Sequence, residues 1–300
     1  MAIATFFATF PIAFLCFALL LGLIIGSFLN VVIYRLPVMM QHEWAEQCYE
    51  FLELENSKKD SKEDNKKQAG DFSGFNLSSP GSHCPNCKHE ISALENIPVL
   101  SYLLQGGKCK NCKNSISLRY PIIESACGIF TVLIASQYGF SWLTLAILIL
   151  TWSLIVLTMI DYDHQLLPDD ITMPILWLGL LINYFELITT LEAAVLGAIA
   201  GYLILWTVYW LFKLLTGKEG MGHGDFKLLA ALGAWMGWQA LPQIILLSSL
   251  IGALLGIGLI IIKGRDKNIP IPFGPYLAGA GFVSLLWNDE LSQLYTAIFM

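Results

Sequence analysis

Two carboxylates stand where carboxylates are rare. Asp225 closes the run Gly222-His223-Gly224-Asp225 at the mouth of an apolar segment, and Asp161 follows another long apolar run. Burying a charge beside hydrocarbon is costly, so ionisable groups in such places are few and commonly functional. A single Asp at a helix end is usually a cap. Two of them, one beside glycines that permit unusual dihedrals and close backbone approach, point to a paired-aspartate site. Carboxylates held close together cannot readily both ionise, so they share a proton, which suits acid–base work.

A second constellation has metal-ligand spacing. Cys84-Pro85-Asn86-Cys87 is followed, after 21 intervening residues, by Cys109-Lys110-Asn111-Cys112. Paired C-x-x-C turns at this separation can face one another and supply four thiolates, the donor set of a zinc site. With no position left open for water, such a zinc is structural, one per chain, and helps a module with a slight core to fold. Disulfides are the competing reading, and they fit poorly on a cytoplasmic face, where thiols stay reduced. Cys16, Cys48 and Cys127 have no spacing partners. Cys16 and Cys127 lie in apolar runs, where a buried small hydrophobe is expected. His83 and His89 flank the first turn and read as surface residues.

The elements that hold these groups are membrane elements. The chain is 56% hydrophobic and 13% charged, outside the usual range for soluble domains on both counts. Against a span of about 20 apolar residues, eight segments stand out: 2–34, 121–138, 141–160, 171–188, 191–215, 226–238, 241–262 and 275–287. The segment 226–238 is short and contains glycine. The first lacks a basic n-region, so it reads as a retained anchor rather than a signal peptide. The expected fold is therefore an all-α polytopic membrane protein with about eight transmembrane helices and a small cytoplasmic zinc-binding insertion.

Basic residues favour the cytoplasmic side. In an eight-span arrangement the 35–119 segment and the loops holding Lys213, Lys218, Lys227, Lys263, Arg265 and Lys267 all fall on one face. Both termini fall on the other, and Asp161 and Asp225 share the cytoplasmic face. The domain expectation is a first transmembrane helix at 1–34, a cytoplasmic insertion at 35–119 and a membrane catalytic region at 120–300. Within the insertion, 39–55 is an amphipathic helix candidate, 56–79 a flexible linker by composition, and 84–112 the four-cysteine module.

Taken together, the residues resemble the type IV prepilin peptidases, membrane aspartic proteases of the G-x-G-D type. The resemblance covers nearly the whole chain in order. It rests on Gly26-Ser27-Phe28-Leu29-Asn30-Val31-Val32-Ile33-Tyr34-Arg35-Leu36-Pro37, the cysteine turns with Glu95-Asn96-Ile97-Pro98 between them, and Ser117-Leu118-Arg119-Tyr120-Pro121 with Glu124. It continues through Asp161, Leu167-Pro168-Asp169, Gly222-x-Gly224-Asp225-Phe226-Lys227 and Pro272-Phe273-Gly274-Pro275. Presenilin-like enzymes share G-x-G-D, but the cysteine turns and the first-exit motif argue against them.

The resemblance implies that Asp161 and Asp225 are catalytic, the charged one activating water and the protonated one polarising the scissile carbonyl. It implies prepilin and pseudopilin substrates, cleaved after Gly, with a basic leader and an apolar helix that lies in the bilayer. It further implies methylation of the new N-terminus with S-adenosyl-L-methionine in a bacterial inner membrane. The alternative is a peptidase without methyltransferase activity. The sequence has no glycine loop of the soluble methyltransferase kind, so no residue is assigned to the donor. Asp163 is a minor rival to Asp161, while Asp169 and Asp170 have helix-capping placement. His164 and His223 are candidates for tuning the pair. Glu124 is a candidate for the second activity or for an ion pair with Arg119.

Two other classes are weaker. A transporter would place carboxylates along an ion path, but it would be expected to show internal repeats, and the halves show none that convinces. A zinc-bearing scaffold explains the cysteines but not Asp161 and Asp225. Nucleic acid is not an expected partner.

Overall fold

The computed structural model describes residues 2–56, 75–263, 272–287, 290, 291 and 293; most of the expected linker lies outside them. Its regular elements are all helical: α1 (Ala2–Thr9), α2 (Pro11–Asn56), α3 (Leu100–Leu104), α4 (Arg119–Tyr138), α5 (Trp142–His164), α6 (Asp169–Tyr184), α7 (Leu191–Thr216), α8 (His223–Met236), α9 (Leu241–Lys263) and α10 (Gly274–Leu286). Each apolar segment read from the sequence forms helix. Five helices among the described residues are long and apolar enough to cross a membrane, namely α2, α4, α5, α7 and α9. α6, α8 and α10 are shorter, at 16, 14 and 13 residues. The chain is a multi-pass, all-helical membrane protein.

The N-terminal segment departs from expectation. Pro11 disfavours helix at the residue before it, so α1 ends at Thr9 and α2 begins at Pro11. α2 then runs unbroken to Asn56, through Pro37 and the stretch predicted as a separate helix at 39–55. Residues 38–56 are rich in Glu, with Met, Gln and Leu, all good helix formers, so nothing after the single lost N–H of Pro37 stops propagation.

The chain divides into two compact units, one formed by residues 1–21 and 127–300, the other by residues 22–126. In the first, α8 is the central helix. Its residues from Phe226 to Met236 are all buried except Lys227, which is partly so. At 14 residues it is only about 21 Å long, and its apolar surroundings are other helices. α7 approaches it backbone to backbone. A Cβ on Gly197 would lie 2.3 Å from the Gly233 carbonyl oxygen, and one on Gly233 would lie 2.2 Å from that of Gly197.

The far end of α8 is tied down by a buried side chain. Asn183 donates to the Ala234 and Trp235 carbonyls at 2.9 and 2.8 Å, and its Oδ1 accepts from the Ile188 and Thr189 N–H groups. The Trp235 indole donates to the Ile175 carbonyl at 2.7 Å. The two Asn183 donations satisfy carbonyls that the end of α8 leaves without partners. They fix α8 against α6, so the near end of α8 is fixed too.

In the second unit, Arg35 is buried and donates to the Asn76 and Pro80 carbonyls at 2.8 and 2.5 Å, with Phe75 beneath its guanidinium. Asn76 Oδ1 accepts from the Ser78 and Ser79 N–H groups, closing a local turn. The last residues of the expected 56–79 linker thus have a defined turn conformation; 57–74 lie outside the described residues. Cys127 is buried in the first unit as expected, whereas Cys16 is exposed on α2. Its helix turns that position outward.

Candidate active site and metal cluster

Asp161 lies in the last turn of α5, and its carbonyl accepts the N–H of Gln165, which ends the helix in a left-handed conformation. The predicted segment ended at 160, so the carboxylate is carried by the helix itself. Asp225 lies in the first turn of α8, two residues after the helix start and three after the N-cap Gly222. Both are buried, each 6% exposed. Both line one cavity of about 230 Å³, walled also by Gln165, Leu167, Glu219, Gly222, Gly224 and Phe273. They are close enough for their charges to interact.

The two carboxylates are held differently. Asp161 Oδ2 accepts the Gly274 N–H at 2.9 Å. Only glycine fits there, since a Cβ on residue 274 would stand 2.6 Å from that oxygen. Asp225 Oδ1 is buried with no hydrogen-bond partner. A buried carboxylate oxygen without a donor is costly. Gly224 allows the second approach: a Cβ there would be 2.7 Å from Leu167 Cβ.

The neighbouring residues separate cleanly. Asp163 and His164 are exposed and do not line the cavity. His223 is exposed, stacked near Tyr209 and Phe226 at 5.2 and 5.4 Å between ring centres. Asp169 and Asp170 occupy the first turn of α6 rather than its cap, which is Pro168. Carboxylates in that turn complement the helix dipole. Asp169 also takes the Lys227 ammonium at 2.7 Å. Glu124 is 8% exposed and accepts the Val99 N–H at 2.7 Å, with Ser27 as a further donor.

The cysteines form the other site. Cys84, Cys87, Cys109 and Cys112 bring their sulfurs within 4.8 Å of one another. Two of the separations are 3.8 Å, Cys84 to Cys112, and 3.9 Å, Cys87 to Cys109. A tetrahedron of thiolates about 2.3 Å from zinc has edges of about 3.8 Å, so this cluster fits that ion. Each turn is built the same way. Lys88 and Lys113 both take φ of 60°, and their N–H groups donate to Cys84 and Cys109 carbonyls at 2.9 and 3.0 Å.

The Asn in each turn donates across the cluster, Asn86 to Cys112 at 3.7 Å and Asn111 to Cys87 at 3.6 Å. Together with the Asn114 N–H, the leading cause, the Asn86 amide lowers the Cys112 thiol to about 6. His83 is exposed, and His89 faces Glu95 at 3.3 Å rather than the sulfurs. The Ser92 N–H and hydroxyl hold Glu95 down to about 2.

These features define a multi-pass membrane protein with a buried aspartate pair and a four-cysteine cluster able to hold a metal. Residues 20–138 match the model of the bacterial peptidase A24 N-terminal domain, and residues 148–257 match that of the type IV leader peptidase family. A prepilin leader peptidase/N-methyltransferase of Stutzerimonas stutzeri is 55% identical over 290 residues, 97% of this chain and 96% of the relative. Proteins of the same description in Pseudomonas aeruginosa and Neisseria gonorrhoeae are 50% and 49% identical, over 98% and 91% of both chains. The chain belongs to the type IV leader peptidase family. No solved structure matches it.

Proposed function

We propose that the chain cuts the leader peptide from type IV prepilins and type II secretion pseudopilins after Gly, and then N-methylates the new N-terminal residue. Asp161 and Asp225 carry the hydrolysis. The observation that supports this most is the one cavity that both buried carboxylates line, with Asp225 Oδ1 still lacking a donor.

One proton serves the pair. The charged carboxylate takes a proton from water as its oxygen bonds to the scissile carbonyl carbon. The protonated one polarises that carbonyl and then helps protonate the departing amine as the C–N bond breaks. No covalent acyl-enzyme forms. The Gly274 N–H keeps Asp161 turned towards this task.

The membrane setting follows the same logic. We read eight passes, five long helices and the three shorter ones, with the 35–119 insertion and the cavity on the cytoplasmic side of a bacterial inner membrane. The basic residues of the insertion and of the loops at Lys213–Lys227 and Lys263–Lys267 support that orientation. A substrate helix in the bilayer then brings its scissile bond to the interface where the carboxylates stand. Residues 1–34, 35–119 and 120–300 act as anchor, insertion and catalytic region.

Cys84, Cys87, Cys109 and Cys112 hold one structural zinc, which ties the two turns together. S-adenosyl-L-methionine supplies the methyl group. Incubating purified enzyme with a prepilin and labelled methyl donor, then weighing the product's N-terminal peptide, tests the whole reading. Leader loss plus one methyl is expected. Leader loss alone supports a peptidase only, and an intact prepilin contradicts the proposal.

A further inference from the structure

The charged lining of the active-site cavity is all acidic. Asp161, Asp225 and Glu219 line it, and among the described residues no Lys or Arg does. Glu219 differs from the other two. It belongs to the loop between α7 and α8, and its side chain is 67% exposed.

Its present partner is Lys213, whose ammonium is 2.8 Å from Oε1. Lys213 does not depend on that contact. It also donates to the Tyr209 hydroxyl at 3.2 Å and lies over the Tyr209 and Trp210 rings at 5.5 and 5.4 Å. Lys213 holds Glu219 below the ordinary carboxylate range, so Glu219 is charged whenever substrate arrives. The cavity thus offers an ionised carboxylate at its rim whose existing cation has other contacts. Asp225, whose Oδ1 is buried without a hydrogen-bond partner, lines the same cavity.

We propose that Glu219 determines specificity by receiving the ammonium or guanidinium of a Lys or Arg side chain on the substrate segment preceding the cleavage point. The incoming cation displaces or shares Lys213, and the aromatic cradle keeps Lys213 from being stranded. This deepens the peptidase reading and rests on it. The interaction is made at a solvated rim, where ion pairs contribute about 0.2–1 kcal/mol. It is formed equally in bound substrate and transition state, so it lowers KM and leaves kcat alone.

The test uses the purified full chain and two prepilins that differ only before the cleavage point, one with Lys or Arg and one with Gln in their place. Wild-type enzyme is expected to cleave both, with lower KM for the basic one. Glu219→Gln should raise KM for the basic substrate about three- to fivefold, change kcat less than twofold, and leave KM for the neutral substrate unmoved. Glu219→Asp should keep part of the preference, and Lys213→Met should lower KM for the basic substrate.

Equal losses on both substrates would make Glu219 a loop tether and overturn the inference, as would an unchanged KM or an effect confined to kcat. If wild-type enzyme cleaves neither prepilin, the peptidase reading itself falls, a result distinct from these.

Discussion

Lys227 Nζ lies 2.7 Å from both carboxylate oxygens of Asp169, joining the second turn of α8 to the first turn of α6. Lys227 is two residues from Asp225, and the segment before Asp169 includes Leu167, a wall of the cavity. The pair links α6 to α8 beside the cavity without lining it.

Breaking this clamp should cost more activity than stability. Lys227→Met or Asp169→Asn removes a partly exposed pair, expected to contribute about 1 kcal/mol or less to folding. Cleavage should fall partially, by roughly two- to fivefold if the cavity loosens by a fraction of an ångström. Thermal unfolding and kcat measured on the same preparations check both halves, and a variant that unfolds early with normal kcat contradicts the assignment.

Gly274 should tolerate no side chain. Its Cβ would fall 2.6 Å from Asp161 Oδ2 and 3.2 Å from Leu167 Cδ2, so Gly274→Ala must push the carboxylate aside or break its hydrogen bond. A displacement of about 1 Å at a reacting group costs on the order of a hundredfold in rate. Prepilin cleavage by Gly274→Ala should drop by about that much while detergent-solubilised protein elutes normally. Near wild-type cleavage would show that the Gly274 N–H does not orient Asp161.

Metal retention should depend on pH through the thiolates. The Cys112 thiol is lowered from its ordinary value to about 6 by donors from Asn114 and Asn86. Above that pH the thiolate is available, and below it protons compete with the metal. About one zinc per chain is expected in reduced protein at neutral pH, released as pH falls and protons displace the metal from the thiolates. Asn86→Ala should shift release to higher pH. Elemental analysis of dialysed samples decides it, and absence of metal at neutral pH argues against a closed four-thiolate site.

The cysteine cluster and the aspartates belong to different compact units, residues 22–126 against residues 1–21 and 127–300. Cys109→Ser should therefore impair methylation more than cleavage. Both activities measured on one preparation check this. Equal fractional losses would make the cluster a support for the whole enzyme instead.

How much of this could be read beforehand depended on distance along the chain. The cysteine turns are local, so their spacing alone revealed them, down to which four residues converge. Asp161 and Asp225 stood out because carboxylates contrast with apolar surroundings, and the eight apolar segments all became helices. The opposite holds for contacts made by common residue types far apart in sequence. Lys227 and Asp169 are 58 residues apart, Asn183 and Ala234 are 51, and Gly274 and Asp161 are 113. Nothing local marks Asn183 as the anchor of α8. The role of α8 is also obscured by composition, because the short apolar segment 226–238 does not reveal that its helix is packed on all sides by others. Asn86 and Asn111 sat in plain view inside the cysteine turns, but only the fold shows them donating across the cluster.

The central claim is that Asp161 and Asp225 act as a proton-sharing pair. Its most direct measurement is prepilin cleavage by purified Asp161→Asn and Asp225→Asn, each reconstituted in lipid and checked for intact folding. Asn keeps the shape but cannot exchange the proton, so each variant should lose cleavage by about a hundredfold or more. Substantial cleavage by either folded variant would contradict the account.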